Sequence, residues 1–193
     1  MQSICVFCGS SAGNNPVYIE AAQALGKLMV QEKIQLVYGG GSIGLMGTIA
    51  DQVMESGGEV LGVIPKFLDD LEVGHKSISE LILVDSMHQR KTKMEELSEG
   101  VIAMPGGFGT MEELTEMLTW AQLKLVKKPI GLLNTNGYYD AFLRFVDHMV
   151  DEGFLKESNR RLLLADGTPE GLLQKMRDFD PNEGTRQMKW AQT

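Results

Sequence analysis

The sequence predicts an α/β fold: a Rossmann-like parallel sheet with helices on both faces. Three observations carry this. Short apolar runs alternate with segments of helical spacing along nearly the whole chain. Run after run passes through a polar or glycine-rich turn into a helix start, which is the order of βαβ units. No composition break, internal repeat or low-complexity segment divides the alternation, so 1–180 reads as one domain and 181–193 as a polar C-terminal tail.

The elements follow in order. Ile4 to Phe7 is an apolar run and a buried strand. Cys8-Gly9-Ser10-Ser11-Ala12-Gly13-Asn14-Asn15 is a small, polar turn, after which Asn15 caps a helix and Pro16 takes its first position. That helix runs to about Gln31, with Ile19, Ala22, Leu25 and Leu28 or Met29 on its inner face. Leu36 to Tyr38 is the second strand. Gly39-Gly40-Gly41-Ser42-Ile43-Gly44-Leu45-Met46-Gly47 opens a helix to about Ser56. Glu59 to Ile64 is the third strand, and Phe67 to Ser79 an irregular, acid-rich surface segment at the site mouth. Leu81 to Val84 is a strand. A helix capped by Asp85 or Ser86, with Ser86 and Gln89 as a capping-box pair, then runs through Ser98. Val101 to Met104 is a strand, followed after a turn by a helix from Glu112 to about Leu125. Its apolar residues wrap more than one face, which suits a packed neighbour or a dimer partner. Ile130 to Asn134, a helix from Gly137 to Asp151, a strand at Leu162 to Leu164, and a helix opened by Thr168-Pro169-Glu170 complete the fold.

The chemistry concentrates at Met104-Pro105-Gly106-Gly107-Phe108-Gly109-Thr110-Met111-Glu112-Glu113. Glycines let a ligand approach the backbone, and the helix start beyond them offers free N–H groups and a positive dipole end. This predicts a phosphate site. Thr110 and Glu113 also match a Thr-x-x-Glu capping box, so Glu113 reads either as a cap or as a catalyst. Glu112 reads as a first-turn carboxylate favoured by the dipole. Met87-His88-Gln89-Arg90-Lys91 places Arg90 and Lys91 early in a helix, where the dipole disfavours cations. Such a pair wants an external anion or a nearby carboxylate; the plain alternative is a solvated pair facing Glu95 or Glu96.

The second glycine-rich turn contains a formal G-x-G-x-x-G. An NAD site wants an acidic residue at the end of the next strand, whereas Glu59 stands at its start and the strand ends in Pro65-Lys66. The turn therefore reads as a second phosphate- or ribose-facing loop, with tight helix–strand packing as the alternative.

Bulk properties narrow the function classes. The chain has 193 residues, 43% apolar and 23% charged, ordinary for a soluble domain with a real core. Net charge is −8, from 26 acidic and 18 basic residues, which argues against nucleic acid as a partner. No stretch reads as a signal peptide or a membrane span, so a cytoplasmic protein without membrane contact is the default. Cys5 and Cys8 form a C-x-x-C, but residues three apart on a strand face opposite ways, so both read as buried reduced thiols. No His/Cys cluster suggests a metal.

Pro105-Gly106-Gly107-Phe108-Gly109-Thr110-Met111-Glu112-Glu113 and Ser86-Met87-His88-Gln89-Arg90-Lys91 together resemble the LONELY GUY (LOG) family, cytokinin riboside 5′-monophosphate phosphoribohydrolases often labelled "lysine decarboxylase". The likeness extends through Phe7-Cys8-Gly9-Ser10-Ser11, Tyr38-Gly39-Gly40-Gly41, Gly44-Leu45-Met46-Gly47, Val63-Ile64-Pro65-Lys66, Thr119-Trp120-Ala121-Gln122-Leu123 and Gly131-Leu132-Leu133-Asn134. It implies a homodimer that hydrolyses the N-glycosidic bond of AMP-like or cytokinin riboside monophosphates, with no cofactor and no metal. The family's catalytic Arg and Glu fall on Arg90 and Glu113. Nucleotide contacts fall on Glu72, Arg90, Lys91, Gly107, Phe108, Gly109, Thr110, Met111, Glu112, Glu113 and Thr119. The glycine-rich turns add Gly9, Ser10, Gly40, Gly41 and Gly106. The segment around Glu72 departs most from the plant pattern. On this likeness Glu113 both caps and catalyses.

Two other readings use the same loops. A non-catalytic nucleotide or cofactor carrier explains the glycines but leaves Arg90 and Glu113 without a task. A decarboxylase needs a Schiff-base lysine, and no lysine stands out for it.

Overall fold

The computed structural model describes residues 1–69 and 74–181. Seven strands, β1 (Ser3–Phe7), β2 (Gln35–Tyr38), β3 (Val60–Pro65), β4 (Glu80–Val84), β5 (Gly100–Ala103), β6 (Ile130–Leu133) and β7 (Leu163–Asp166), form one sheet. All pairings are parallel, in the order β4-β3-β2-β1-β5-β6-β7. The helices are α1 (Val17–Gln31), α2 (Gly44–Glu55), α3 (Lys66–Asp69), α4 (Met87–Glu96), α5 (Phe108–Gln122), α6 (Asp140–Asp151), α7 (Glu157–Arg160) and α8 (Pro169–Arg177), with a 3₁₀ turn at Thr135–Gly137. The short helices α3 and α7 lie in stretches without clear periodicity.

Strand order reverses at β1: β2 to β4 build one side and β5 to β7 the other. In such sheets the turns leaving the two central strands diverge and open a crevice at their carboxyl ends. The turns after β1, β2 and β5, which carry Gly9, Gly39 to Gly41 and Gly106–Gly107, all stand at that end.

Two apolar layers hold the sheet. One packs Ile4, Val6, Leu36 and Tyr38 under Leu25 and Met29 of α1, Ile49 and Val53 of α2, and Leu172 and Met176 of α8. The other packs Cys5, Phe7, Val37 and Val101 under Met94 of α4, Leu114 and Met117 of α5, and Val146 of α6. Alternate β1 residues thus serve opposite layers, which separates Cys5 from Cys8 as the strand period requires. Both thiols are free and buried, and burial pushes both well above the ordinary thiol range.

Local signals account for most helix starts. The Asn15 side chain accepts the Val17 N–H at 3.1 Å, so Asn15 caps α1. Ser86 accepts the Gln89 N–H, and the Gln89 side chain returns to the Asp85 N–H at 2.8 Å. Thr168 accepts the Gly171 N–H ahead of α8.

Helix α5 departs from expectation. It begins at Phe108, four residues before Glu112, with Gly107 at the N-cap and no side-chain cap. Thr110 and Glu113 therefore lie inside the helix and form no capping box. Glu112 falls outside the first turn as well. The cause is that Gly107, exposed and extended, can end the turn without a hydroxyl cap, leaving the amides beyond it open. The expectations for Glu72 and for the tail fall outside the described residues, apart from Pro181. Among the described residues no helix is long and apolar enough to cross a membrane.

Candidate active site

A cleft of about 310 Å³ opens at the carboxyl end of β1, between its turn and those after β2 and β5. Its walls include Cys8, Gly9 and Ser10, Gly39, Arg90, and Gly107 to Thr110 with Glu113. A larger hollow, about 720 Å³, lies at the opposite end of the sheet. Glu32, Glu59 and Glu99 line it with Lys33 and Met1, the Met1 ammonium lying 3.7 Å from Glu99 and Arg177 pairing with Glu32 at 2.8 Å.

Each wall follows from local sequence. The first N–H groups of α5 have no intrahelical acceptor and face the turn. Gly106 is demanded by packing, because a Cβ there would fall 2.1 Å from Thr110 Oγ1 and 2.9 Å from the Gly9 nitrogen. Phe108 stands at the helix start almost wholly exposed, at 97%.

Arg90 and Glu113 meet across the cleft floor. Arg90 Nη1 donates to Glu113 Oε1 at 3.2 Å, Nε donates to Val63 O at 3.1 Å, and Nη2 donates to Gly39 O at 3.2 Å. Both residues are buried, 9% and 8% exposed. The guanidinium is thus held at three points, by the turn after β2, by β3 and by α5. Gly39 makes room for it: a Cβ at Gly39 would lie 1.8 Å from Arg90 Nη2. Burial raises the Glu113 carboxyl above the ordinary carboxylate range, with Arg90 pulling it back down and Glu112 pushing it up. The result is an acid that titrates closer to neutrality than a free glutamate.

Lys91 is buried beside Arg90 but turns away from the cleft. Its Nζ donates to Glu112 at 2.5 Å and reaches Glu116 at 2.9 Å. Burial works to lower its pKa, and these two carboxylates outweigh it and raise it. The early basic residues of α4 thus find carboxylates on α5, rather than solvent or Glu95 and Glu96.

The structure therefore brings together Gly9, Ser10, Arg90, Gly107, Phe108, Gly109, Thr110 and Glu113. Gly106 lies one step away, in an adjoining pocket of about 300 Å³ that shares Gly9, Ser10 and Gly107. Lys91 and Glu112 tie α4 to α5, and Met111 packs into the second apolar layer. Thr119 sits further along α5, lining a separate groove with Phe142 and Met149.

Apart from Gly39 and Met46, which line the cleft, the second glycine-rich turn supports it rather than facing it. Gly40 O accepts the His75 N–H at 2.8 Å, and Gly41 bridges to Gly74. The first amides of α2 are taken up by Gly9 O, from Leu45 N at 3.0 Å and Met46 N at 3.4 Å. Gly44 has φ of +63° and is pressed on Ser10, which leaves no space for a ligand there. Gly40 and Gly41 do not line the cleft.

Cys8, Leu68 and Met94, which the sequence does not mark as site residues, also line it, and so do Gly39 and Met46 of the loop read as phosphate- or ribose-facing. Gly39 could have been found as the residue ending a strand next to β1. Met94 lies one helical turn after Arg90 on α4, a spacing that places both on one face.

Residues 46–176 match the family model described as "Possible lysine decarboxylase". Over 189 residues the chain is 47% identical to Arabidopsis thaliana cytokinin riboside 5′-monophosphate phosphoribohydrolase LOG7, covering 97% of this chain and 87% of that one. Over 176 residues it is 51% identical to the probable cytokinin riboside 5′-monophosphate phosphoribohydrolase LOGL1 of Oryza sativa subsp. japonica, covering 91% and 79%. Among solved structures, the molybdenum cofactor binding protein of Rippkaea orientalis superposes with a TM-score of 0.67 at 22% identity, over 91% of this chain and 95% of that one. That last likeness speaks to the fold alone.

Proposed function

We propose, from the premise that this chain belongs to the LOG family of cytokinin riboside 5′-monophosphate phosphoribohydrolases, that it hydrolyses the N-glycosidic bond of adenosine-type 5′-monophosphates. The products are the free base and ribose 5-phosphate. One observation supports this most: an ion-paired Arg–Glu and the open amides of a helix start share one cleft.

In this reading the 5′-phosphate sits on the amides of 107–110, favoured by their direction and by the α5 dipole. The ribose then lies toward Glu113. Breaking the C1′–N bond builds positive charge on the sugar and negative charge on the base. Ionised Glu113 stabilises the sugar cation or takes a proton from the attacking water. The water oxygen ends on C1′ and a proton ends on the departing base. Arg90 is no proton donor, since a guanidinium keeps its protons in proteins. It orients Glu113 and balances its charge. The logic is that of glycosidase carboxylates, with an arginine in place of the second acid.

A decarboxylase reading lacks its lysine, because among the described residues no lysine lines the cleft and Lys91 is bound to two carboxylates. Incubation with AMP and with isopentenyladenosine monophosphate, followed by chromatography, should release free base and ribose 5-phosphate. If both nucleotides return uncleaved yet bound, the protein is a carrier.

We also infer a homodimer. Among its residues helix α6 buries only Val146, while Phe145 on it, Leu123 and Leu125 just past α5, and Phe154 just past α6 are exposed. Sedimentation should report twice the 21.3 kDa chain mass; a monomer at micromolar concentration would overturn this.

A further inference from the structure

The Gly106–Gly107 step is the least constrained part of the anion turn, because glycine on both sides lets a peptide plane rotate at little cost. Yet an amide useful to a phosphate must hold one direction. In a trans peptide the carbonyl and the following N–H point opposite ways, and no cis peptide bond occurs among the described residues. Whatever grips Gly106 O therefore also aims Gly107 N–H.

Tyr138 grips it. Its hydroxyl donates to Gly106 O at 2.6 Å. The ring is steadied by edge contacts to Tyr18 at 5.7 Å and Tyr139 at 4.8 Å. Next to it, the Tyr139 hydroxyl donates to Met104 O at 2.6 Å, and Gly9 N–H donates to Pro105 O at 3.1 Å. Three successive carbonyls, of Met104, Pro105 and Gly106, each have a donor. The turn that follows β6 delivers both tyrosines: Asn136 and Gly137 take φ of +54° and +68°, and Asn134 accepts the Tyr139 N–H at 2.7 Å. Tyr138 lines the adjoining pocket and not the cleft, so it sits behind the turn as seen from the ligand.

We propose that Tyr138 is a positioning residue for the phosphate cradle: its hydroxyl fixes the Gly106–Gly107 peptide plane so that Gly107 N–H faces the cleft. This rests on the reading that a phosphate ester occupies the start of α5. Because phosphate contacts persist from bound substrate to transition state, the loss falls on binding rather than on turnover.

Tyr138→Phe keeps the ring and removes the donor. The inhibition constants of ribose 5-phosphate and inorganic phosphate should rise roughly 3- to 10-fold, the effect of one hydrogen bond. The KM for AMP should rise in step, with kcat changing less than about twofold. Binding of unphosphorylated adenosine should not change. Unaltered inhibition by both anions, even with a lower melting temperature, overturns the proposal and leaves Tyr138 a structural residue. Should the wild-type protein neither cleave AMP nor bind ribose 5-phosphate, the underlying reading falls and this inference with it. Should it do both while the variant matches it, only this inference falls.

Discussion

Glu113→Gln should lower kcat for base release by about 10²- to 10⁴-fold, the range for loss of a positioned acid–base group, while nucleotide still binds. Gln keeps an oxygen for Arg90 Nη1, so the three-point seat of the guanidinium survives. What disappears is the negative charge beside the sugar. Wild-type rates in this variant would remove Glu113 from the chemistry. The pH profile is a second readout. Burial holds the Glu113 pKa above its ordinary 4.5, so the ionised form is lost, and activity with it, as pH falls through that raised value. The acid limb of kcat/KM should therefore lie above pH 4.5 and be absent from the residual activity of the variant. Stability runs in the complementary direction. Between the unfolded and the raised folded pKa, the folded state binds more protons, so wild-type stability falls as pH rises through that window. The stability of Glu113→Gln relative to wild type should accordingly improve from acidic to neutral pH. A difference in melting temperature that does not vary with pH would contradict the burial argument.

Gly39→Ala should leave the protein folded and reduce turnover about 100-fold, the scale for displacing a reacting group by roughly 1 Å. Gly39 is absent from the positive-φ glycines, so alanine suits its backbone. The added methyl would meet Arg90 Nη2 at 1.8 Å and Cζ at 2.9 Å, which are the far end of a side chain that can swing away. Relief costs the guanidinium its bond to Gly39 O and its alignment with Glu113. Circular dichroism and melting temperature test the first half, and steady-state kinetics with AMP tests the second. Near-normal kcat in a folded Gly39→Ala protein would show that the seating of Arg90 is not required. The contrast with Gly44→Ala is instructive. There a methyl meets Ser10 backbone at 2.3 Å and φ is +63°, so that change should damage the fold itself.

Much of this molecule is readable along the chain because its causes are local. Strand and helix alternation, the caps at Asn15, Ser86 and Thr168, and the placing of Cys5 and Cys8 on opposite layers all follow from periods and capping chemistry within a few residues. The stretch from Pro105 to Glu113 reads as a candidate anion site for the same reason. Helix α5 starts four residues before the sequence predicts, because a Thr-x-x-Glu pattern imitates a cap that Gly107 makes unnecessary.

Other decisions needed the fold. Two similar glycine-rich turns parted ways because one helix start met Gly9 O while the other met open space, a matter of which strands are neighbours. Arg90 became the partner of Glu113, 23 residues away in sequence, and Lys91 that of Glu112, 21 residues away, and of Glu116, because α4 and α5 cover the same face of the sheet. The amino-acid order by itself determined which chemical groups exist and the local geometry of each element. Only the packing of the sheet decided which groups are dried, paired and aimed at one another, since burial and Coulomb attraction act through space rather than along the chain.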